Sequence, residues 1–344
     1  MRILLISTNV FPLPLKGYGG LEQLVYGWAC EFQKAGHTVS VVAPEGSVLP
    51  EGMELVPTGL REGEDASWNR YKDRLLTGAW DVVMDNSWNW FTVFGQLEAA
   101  KQLPIVHCYH SDPRNCNAAL PPPIEKPCLV AFSDAQAVIM NSMWRNMVRM
   151  VHHGVDTAFY HPDPAVERGD RYLFLARYTP EKGFMEIEGL ARKCHVGLDA
   201  YGDTEIIGPN QDYAVKCLQM NDGQQIKVNQ GIPRERAVKE FQSHKALITW
   251  PNFIEIFGLT SVESMCCGTP VISKDSGAAR ELIVHGKTGF VVNTWEEAED
   301  LIKSNAVSEL KTEDIIAQGR KFSIEASAAG HLRVLQDVAQ GFYW

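Results

Sequence analysis

Two glutamates, Glu255 and Glu263, stand with seven residues between them inside the run Trp-Pro-Asn-Phe-Ile-Glu-Ile-Phe-Gly-Leu-Thr-Ser-Val-Glu-Ser-Met-Cys-Cys-Gly at 250–268. The apolar stretch 246–250 predicts a strand, Gly258 marks where a loop becomes a helix, and Gly268 with Pro270 ends that helix before a second strand at 270–273. Glu255 then belongs to the loop and Glu263 to the helix, about a turn and a half in. Strand, loop, helix and strand form a βαβ unit, and the helix opens on free N–H groups that suit an anion. By spacing alone the pair reads equally well as two surface glutamates of an amphipathic helix. Two cations, Arg177 and Lys182, lie in another loop, 177–183, between a predicted strand at 172–176 and a predicted helix at 184–193.

Cations beside a free helix start at Phe257-Gly258-Leu259 suit a diphosphate. A carboxylate accepts two hydrogen bonds from a vicinal diol, so two carboxylates suit two diols, a ribose and a hexose. The constellation describes a sugar nucleotide. No Asp-x-Asp occurs in the chain, so no obvious metal–diphosphate site is present, and Arg177 and Lys182 would stabilise the leaving diphosphate instead.

The elements that must position these groups alternate along the chain. Residues 3–7 read as a buried first strand, followed by a loop at 9–20 with Pro12, Pro14, Gly17, Gly19 and Gly20, and a helix from about Leu21. Gly-Tyr-Gly-Gly-Leu-Glu at 17–22 fails the dinucleotide fingerprint because Glu22 stands at the third glycine position. The loop still suits close backbone approach to a ligand, with a mobile surface loop as the alternative. Further strands are expected at 38–43, 81–84, 104–107 and 137–140, with helices at 68–76, 91–101 and 143–151; residues 45–78 otherwise read as polar and irregular. Glu45 is read as a turn residue. His110 follows the strand at 105–109, at a carboxyl end where ligands bind in open α/β sheets, although a lone histidine is as readily structural. Arg145 and Arg149 beside Trp144 and Met147 suggest weak peripheral membrane contact, against the alternative of solvated arginines on a core helix.

Residues 159–170, with two prolines and an Arg-Gly-Asp turn, resemble an interdomain linker, after which the alternation restarts. Strands are expected at 196–201 and 226–228 and helices at 234–243, 296–304 and 325–339, with a hairpin-like turn at 285–292. The architecture expected is two βαβ-rich halves, doubly wound and parallel, with a cleft between facing strand ends.

At 344 residues the chain has length for two cores. Its net charge of -10, divided equally between residues 1–165 and the rest, argues against nucleic acid. Eight cysteines without a Cys-x-x-Cys pair suit reduced thiols in a cytoplasmic protein, and no apolar stretch approaches the ~18 residues of a membrane span.

Several motifs then occur in order: Gly19-Gly20-Leu21-Glu22, Gly154-Val155-Asp156, Arg177 with Lys182-Gly183, Glu255-x7-Glu263, Gly268-Thr269-Pro270-Val271 and His285-Gly286-Lys287-Thr288-Gly289-Phe290. Together they resemble the family 4 retaining glycosyltransferases of GT-B fold over nearly the whole chain. The resemblance implies an acceptor-binding Rossmann-like domain at 1–162, a nucleotide-sugar-binding one at 170–324, and a last helix, about 325–344, packing back on the first. It implies that Arg177 and Lys182 bind the diphosphate, Glu255 the donor-sugar hydroxyls and Glu263 the ribose. Phe257, Gly258 and Leu259 would offer amides, Gly19 and Gly20 would approach the diphosphate, Gly202 and Ile232 would line the donor site, and His110 would lie at the reacting centre. The implied activity is metal-independent hexosyl transfer from a nucleotide sugar, UDP-linked ahead of GDP-linked, to a hydroxyl acceptor such as a glycan, lipid-linked glycan or small molecule, with front-face attack and no resident cofactor. Two departures stand out: Ile256 where the family often has Gly, Ser or Pro, a change that would narrow the donor pocket, and His153 where it usually has Asn. An epimerase of the same fold and a catalytically silent sugar-nucleotide- or glycan-binding subunit are the alternatives.

Overall fold

The structure is a computed structural model, and it describes the chain except residues 16, 18–19, 89–90, 100–101, 116–123, 145–146 and 204–210. Gly19 and Arg145 therefore lie outside the described residues. The chain divides into two compact units, the first built from residues 1–15, 19–154 and 324–344, the second from 155–323.

In the first unit, β1 (Arg2–Ile6) leads through the glycine-containing loop to α1 (Leu21–Lys34), then β2 (Thr38–Pro44), β3 (Glu54–Thr58), α2 (Glu64–Thr77), β4 (Val82–Asp85), α3 (Phe91–Glu98), β5 (Ile105–Cys108), β6 (Leu129–Ala131), α4 (Asp134–Trp144) and β7 (Val148–Met150). The seven strands pair in the order β3-β2-β1-β4-β5-β6-β7, all parallel. A parallel sheet is covered on both faces, which is why its central strands are apolar runs rather than alternating ones. Ile3, Leu4, Leu5 and Ile6 of β1 are all buried, each contributing about 2 kcal/mol by area.

Three expectations fail here. Residues 137–140 lie within α4, not in a strand, and the expected helix at 143–151 is replaced by the end of α4 and by β7. The region read as irregular holds β3, which pairs along β2 from Ser40↔Glu54 to Pro44↔Thr58. Asp134 in the first turn of α4 suits a helix start, while the short run Ala-Val-Ile-Met fits either period.

The second unit runs β8 (Tyr172–Leu175), α5 (Phe184–Lys193), β9 (Leu198–Gly202), α6 (Gln211–Gln219), β10 (Ile226–Gln230), α7 (Arg234–Ser243), β11 (Ala246–Thr249), α8 (Leu259–Cys266), β12 (Val271–Lys274), α9 (Ala279–Leu282), β13 (Gly289–Val292), α10 (Trp295–Lys303) and α11 (Thr312–Gly319). Its sheet is again wholly parallel, in the order β10-β9-β8-β11-β12-β13. The expected hairpin at 285–292 is instead a tight turn into the parallel edge strand β13. Residues 159–170 are held to this unit: Tyr160 is buried, Gln242 Nε2 donates to the His161 carbonyl at 2.7 Å, and Arg168 Nη1 donates to the Gly268 carbonyl at 2.8 Å.

The last helix, α12 (Ile324–Ala339), belongs to the first unit. It lies against α1, where Trp28 Nε1 donates to Ser327 Oγ at 3.0 Å and that hydroxyl donates to the His152 carbonyl at 2.6 Å. A Cβ on Gly27 would come within 2.7 Å of Ile324 Cγ1, so the two helices pack backbone to side chain. Arg149, read from sequence as a solvated or lipid-facing cation, has its guanidinium 3.9 Å from the centre of the Trp344 ring and an ion pair with Asp337.

Candidate active site

In the second sheet, strand order reverses between β8 and β11, and the crevice outside the carboxyl ends at such a point is where open α/β sheets bind ligands. The loops leaving these two strands carry Arg177, Lys182 and Glu255. After β8 the chain makes a 3-10 turn, Pro180–Lys182, and then passes through Gly183 at φ +70°. A Cβ on Gly183 would lie 2.1 Å from the Trp250 carbonyl oxygen, so only glycine lets this loop press against the one after β11. That approach brings Lys182 Nζ within 2.7 Å of Glu255 Oε2 and 4.5 Å from the centre of the Phe253 ring. Arg177 is exposed and has no ion pair among the described residues.

Glu255 is held through its backbone. Its carbonyl accepts the Ala278 N–H at 3.0 Å, with Gly277 packed directly against it. The chain then enters α8 through Gly258 at φ +99°, and among the described residues no side chain caps the helix. Its first N–H groups are thus available to an anion beside the Lys182–Glu255 pair. Ile256 and Phe257 are buried, the Phe257 ring lying 5.8 Å from that of Phe322. Leu259 and Ile232 are partly buried against the same core, and Gly202 closes β9 so near β8 that a Cβ would sit 2.5 Å from the Ala176 carbonyl oxygen.

Glu263, in the middle of α8, is buried, and its charge acts on the Tyr160 phenol. Burial, reinforced by the Glu263 charge, raises the Tyr160 phenol well above its ordinary range, so it remains a neutral donor. Arg234 sets its guanidinium 4.3 Å from the centre of the Phe159 ring and 5.5 Å from that of Tyr160. Tyr160 and Arg234 were not among the sequence candidates; their signal was an aromatic pair in a stretch read as a linker.

In the first unit the corresponding reversal lies between β1 and β4. Gly20 ends the loop after β1, and Glu22 in the first turn of α1 accepts a 2.6 Å hydrogen bond from the Thr8 hydroxyl. Burial raises the Glu22 carboxyl, while the Thr8 bond opposes that shift. His110, just beyond β5, stacks 4.4 Å from Phe132 and 5.4 Å from His153, with Trp28 beyond. Burial, together with the neighbouring His331, pushes the His110 imidazole down to about 3. It is neutral at ordinary pH and can offer or accept a hydrogen bond without charge. His153 joins this ring stack, which gives the departure at that position a packing role. Each unit therefore assembles its own cluster: Lys182, Glu255 and the α8 start in one, with Glu263, Tyr160 and Arg234 grouped nearby in sequence-distant contact; His110 and its aromatic wall in the other. Among the described residues no group of three or more His, Cys, Asp or Glu is placed to hold a metal ion.

A family model described as "Glycosyl transferases group 1" matches residues 160–322, and one described as "Glycosyltransferase Family 4" matches residues 18–159. The chain belongs to the family 4 glycosyltransferases. Among curated relatives, the D-inositol 3-phosphate glycosyltransferase 1 of Catenulispora acidiphila is 24% identical over 86% of this chain and 85% of its own length. AviGT4, a glycosyltransferase involved in avilamycin A biosynthesis, superimposes on this glycosyltransferase with a TM-score of 0.76 at 18% identity, covering 100% of this chain and 99% of that one. The Anabaena protein HepE, solved in complex with UDP-glucose, matches with a TM-score of 0.71 at 17% identity over 99% of each chain. The two parallel sheets of this glycosyltransferase are those of the GT-B fold.

Proposed function

We propose that this glycosyltransferase moves a hexosyl group from a nucleoside-diphosphate sugar, UDP-linked rather than GDP-linked, to a hydroxyl acceptor, with retention of anomeric configuration and without a metal ion. The observation that carries the reading is the Lys182–Glu255 pair at the switch point of the second sheet, 2.7 Å apart beside the uncapped start of α8. Lys182, Arg177 and the helix N–H groups bind the diphosphate; Glu255 accepts hydrogen bonds from donor-sugar hydroxyls, and Glu263 from the ribose. That a GT-B neighbour is solved with UDP-glucose supports the choice of base.

In the transfer, the bond from the anomeric carbon to the β-phosphate oxygen breaks and a bond from that carbon to the acceptor oxygen forms on the same face. The acceptor's proton passes to the departing phosphate oxygen. Negative charge grows on the diphosphate, where Arg177 and Lys182 stabilise it, each by about 2–4 kcal/mol. Glu255 is engaged by Lys182 and Glu263 is buried within α8, so neither is arranged as the carboxylate nucleophile of a retaining glycosidase, which works with a partner carboxyl about 5 Å away.

The test is incubation with a panel of nucleotide sugars in excess EDTA, following nucleotide release and, with an acceptor, the anomeric coupling constant of the product. Release from a UDP-sugar with a retained product is expected. An inverted product, or turnover that returns only when a divalent ion is added, overturns the mechanism. An isomerised intact donor makes the protein an epimerase.

A further inference from the structure

His110 has two ring nitrogens, and the structure determines which one carries the proton. Asn86 follows β4, is 1% exposed, and sits on a turn fixed by Asp85, whose carboxylate accepts the Ser87 N–H at 2.9 Å and the Thr92 hydroxyl. The backbone N–H and the side-chain Nδ2 of Asn86 both donate to the Ile6 carbonyl, each at 3.1 Å. A carbonyl only accepts, so the amide nitrogen of Asn86 faces Ile6 and the amide oxygen faces the other way. That oxygen lies 2.9 Å from His110 Nε2. An amide oxygen also only accepts, so Nε2 must donate. A neutral imidazole carries one N–H, which leaves a lone pair on Nδ1. Nδ1 has no hydrogen-bond partner among the described residues, and the stacked Phe132 and His153 rings, tilted 23° and 18° from it, keep the imidazole plane from turning.

We propose that Asn86 is a positioning residue that holds His110 in its Nε2–H tautomer, so that Nδ1 is presented as a hydrogen-bond acceptor to a hydroxyl of a sugar substrate. This deepens the glycosyltransferase reading and rests on it for the identity of the ligand, but the tautomer itself does not. Burial and His331 keep the imidazole neutral, and His153 and Asp85 are the other titratable groups around it. His110 thus orients a hydroxyl and does not remove its proton, which leaves the proton free to pass to the donor phosphate.

The test is a nitrogen-15/carbon-13 correlation spectrum of the histidine side chains in the full chain at pH 7, with His110 assigned by the signals lost in His110→Gln. The wild-type protein should show a donor-type Nε2 and a pyridine-type Nδ1 at His110. Asn86→Leu, which removes the acceptor, should shift His110 to a mixture of tautomers and lower kcat/KM about tenfold. Asn86→Asp keeps an acceptor for Nε2 while setting its second oxygen against the Ile6 carbonyl, so it should lose stability yet retain the tautomer and more of the activity than the leucine variant. An Nδ1–H signal in the wild-type protein overturns the proposal. So does an Asn86→Leu variant with an altered tautomer and undiminished kcat/KM. If Asn86→Leu does not fold, the wild-type spectrum and Asn86→Asp decide. Wild-type turnover in His110→Gln rejects the site assignment of His110, and an absence of donor turnover in the wild-type protein rejects the transferase mechanism; neither outcome alters the tautomer measurement.

Discussion

Gly277 offers a stringent test of how Glu255 is held. It adopts φ +54°, and a Cβ there would lie 1.9 Å from the Glu255 carbonyl oxygen, 2.7 Å from its carbonyl carbon and 2.9 Å from its nitrogen. Carbon–oxygen contacts settle near 3.3 Å or beyond, so in Gly277→Ala the Glu255 backbone must recede by roughly 1.4 Å. That same carbonyl accepts the Ala278 N–H at 3.0 Å, and the 2.7 Å pair with Lys182 depends on where the loop lies. The left-handed backbone adds about 1–2 kcal/mol for alanine and the overpacking about 1–3 kcal/mol, together roughly 2–5 kcal/mol. For a unit of this size that lowers its melting temperature by about 4–20 °C. A displacement near 1 Å at a reacting centre costs on the order of a hundredfold in rate, so kcat/KM for donor hydrolysis should fall about 10²-fold. Gly223→Ala is the matched control: φ is +72° and none of the described residues lies within 4 Å of its Cβ, so it carries the backbone strain alone. Thermal unfolding and nucleotide release would be measured on both variants. If Gly277→Ala keeps wild-type kcat/KM and loses no more stability than Gly223→Ala, the account of how this loop positions Glu255 is wrong.

Further outcomes follow from other groups. His331 is fully buried with neither ring nitrogen partnered among the described residues, and burial depresses it to about 3. Its neutral form is therefore favoured by folding; that stability is complete above pH 6.5 and drains away as pH falls towards 3, by at most about 5 kcal/mol. His331→Phe should flatten the acid limb of a melting-temperature profile between those pH values, and an unchanged limb rejects this. Lys182→Ala should cut kcat/KM for nucleotide release by roughly 10²–10³-fold, since it removes stabilisation of the departing diphosphate and leaves Glu255 unpaired; a loss under tenfold counts against that role. Glu263→Ala should weaken donor binding in calorimetry by roughly 10–100-fold, and Tyr160→Phe, which leaves the carboxylate in place, should weaken it less. Wild-type affinity in Glu263→Ala removes the ribose assignment.

Much of the fold was legible because parallel strands leave apolar runs and helices leave caps. The helix 184–193 and the helix 234–243 were located to the residue, each bounded by a glycine or proline signal at its start. Where the reading failed, the elements were short or lacked a period. Strand β6 has three residues and follows Lys126-Pro127-Cys128, too little to register, so the strand was assigned instead to Ala-Val-Ile-Met in α4. Strand β3 contains Pro57 and a mixed pattern of burial, and its identity comes from pairing with β2. At the site, Lys182 and Glu255 were visible as charges at strand ends, but their mutual ion pair was not, because it depends on Gly183 meeting Trp250 across the sheet. Glu263 and Arg234 meet Tyr160 from distant parts of the sequence, and no local spacing encodes such a grouping. Asn86 was equally silent: its importance lies in which way one amide faces.

The return of α12 to the first unit sets an order of events during synthesis. When residue 154 has left the ribosome, all seven strands of that unit exist, yet the α1 surface bearing Gly27 and Trp28 has nothing to cover it. The main span of the second unit, residues 155 to 323, is made in one stretch and can close before its neighbour. The nascent first unit must therefore wait, with an apolar helix face open to chaperones or to a second nascent chain, for about 170 more residues, several to some tens of seconds at ordinary elongation rates. Of the two units, the one whose strands emerge earlier is completed later.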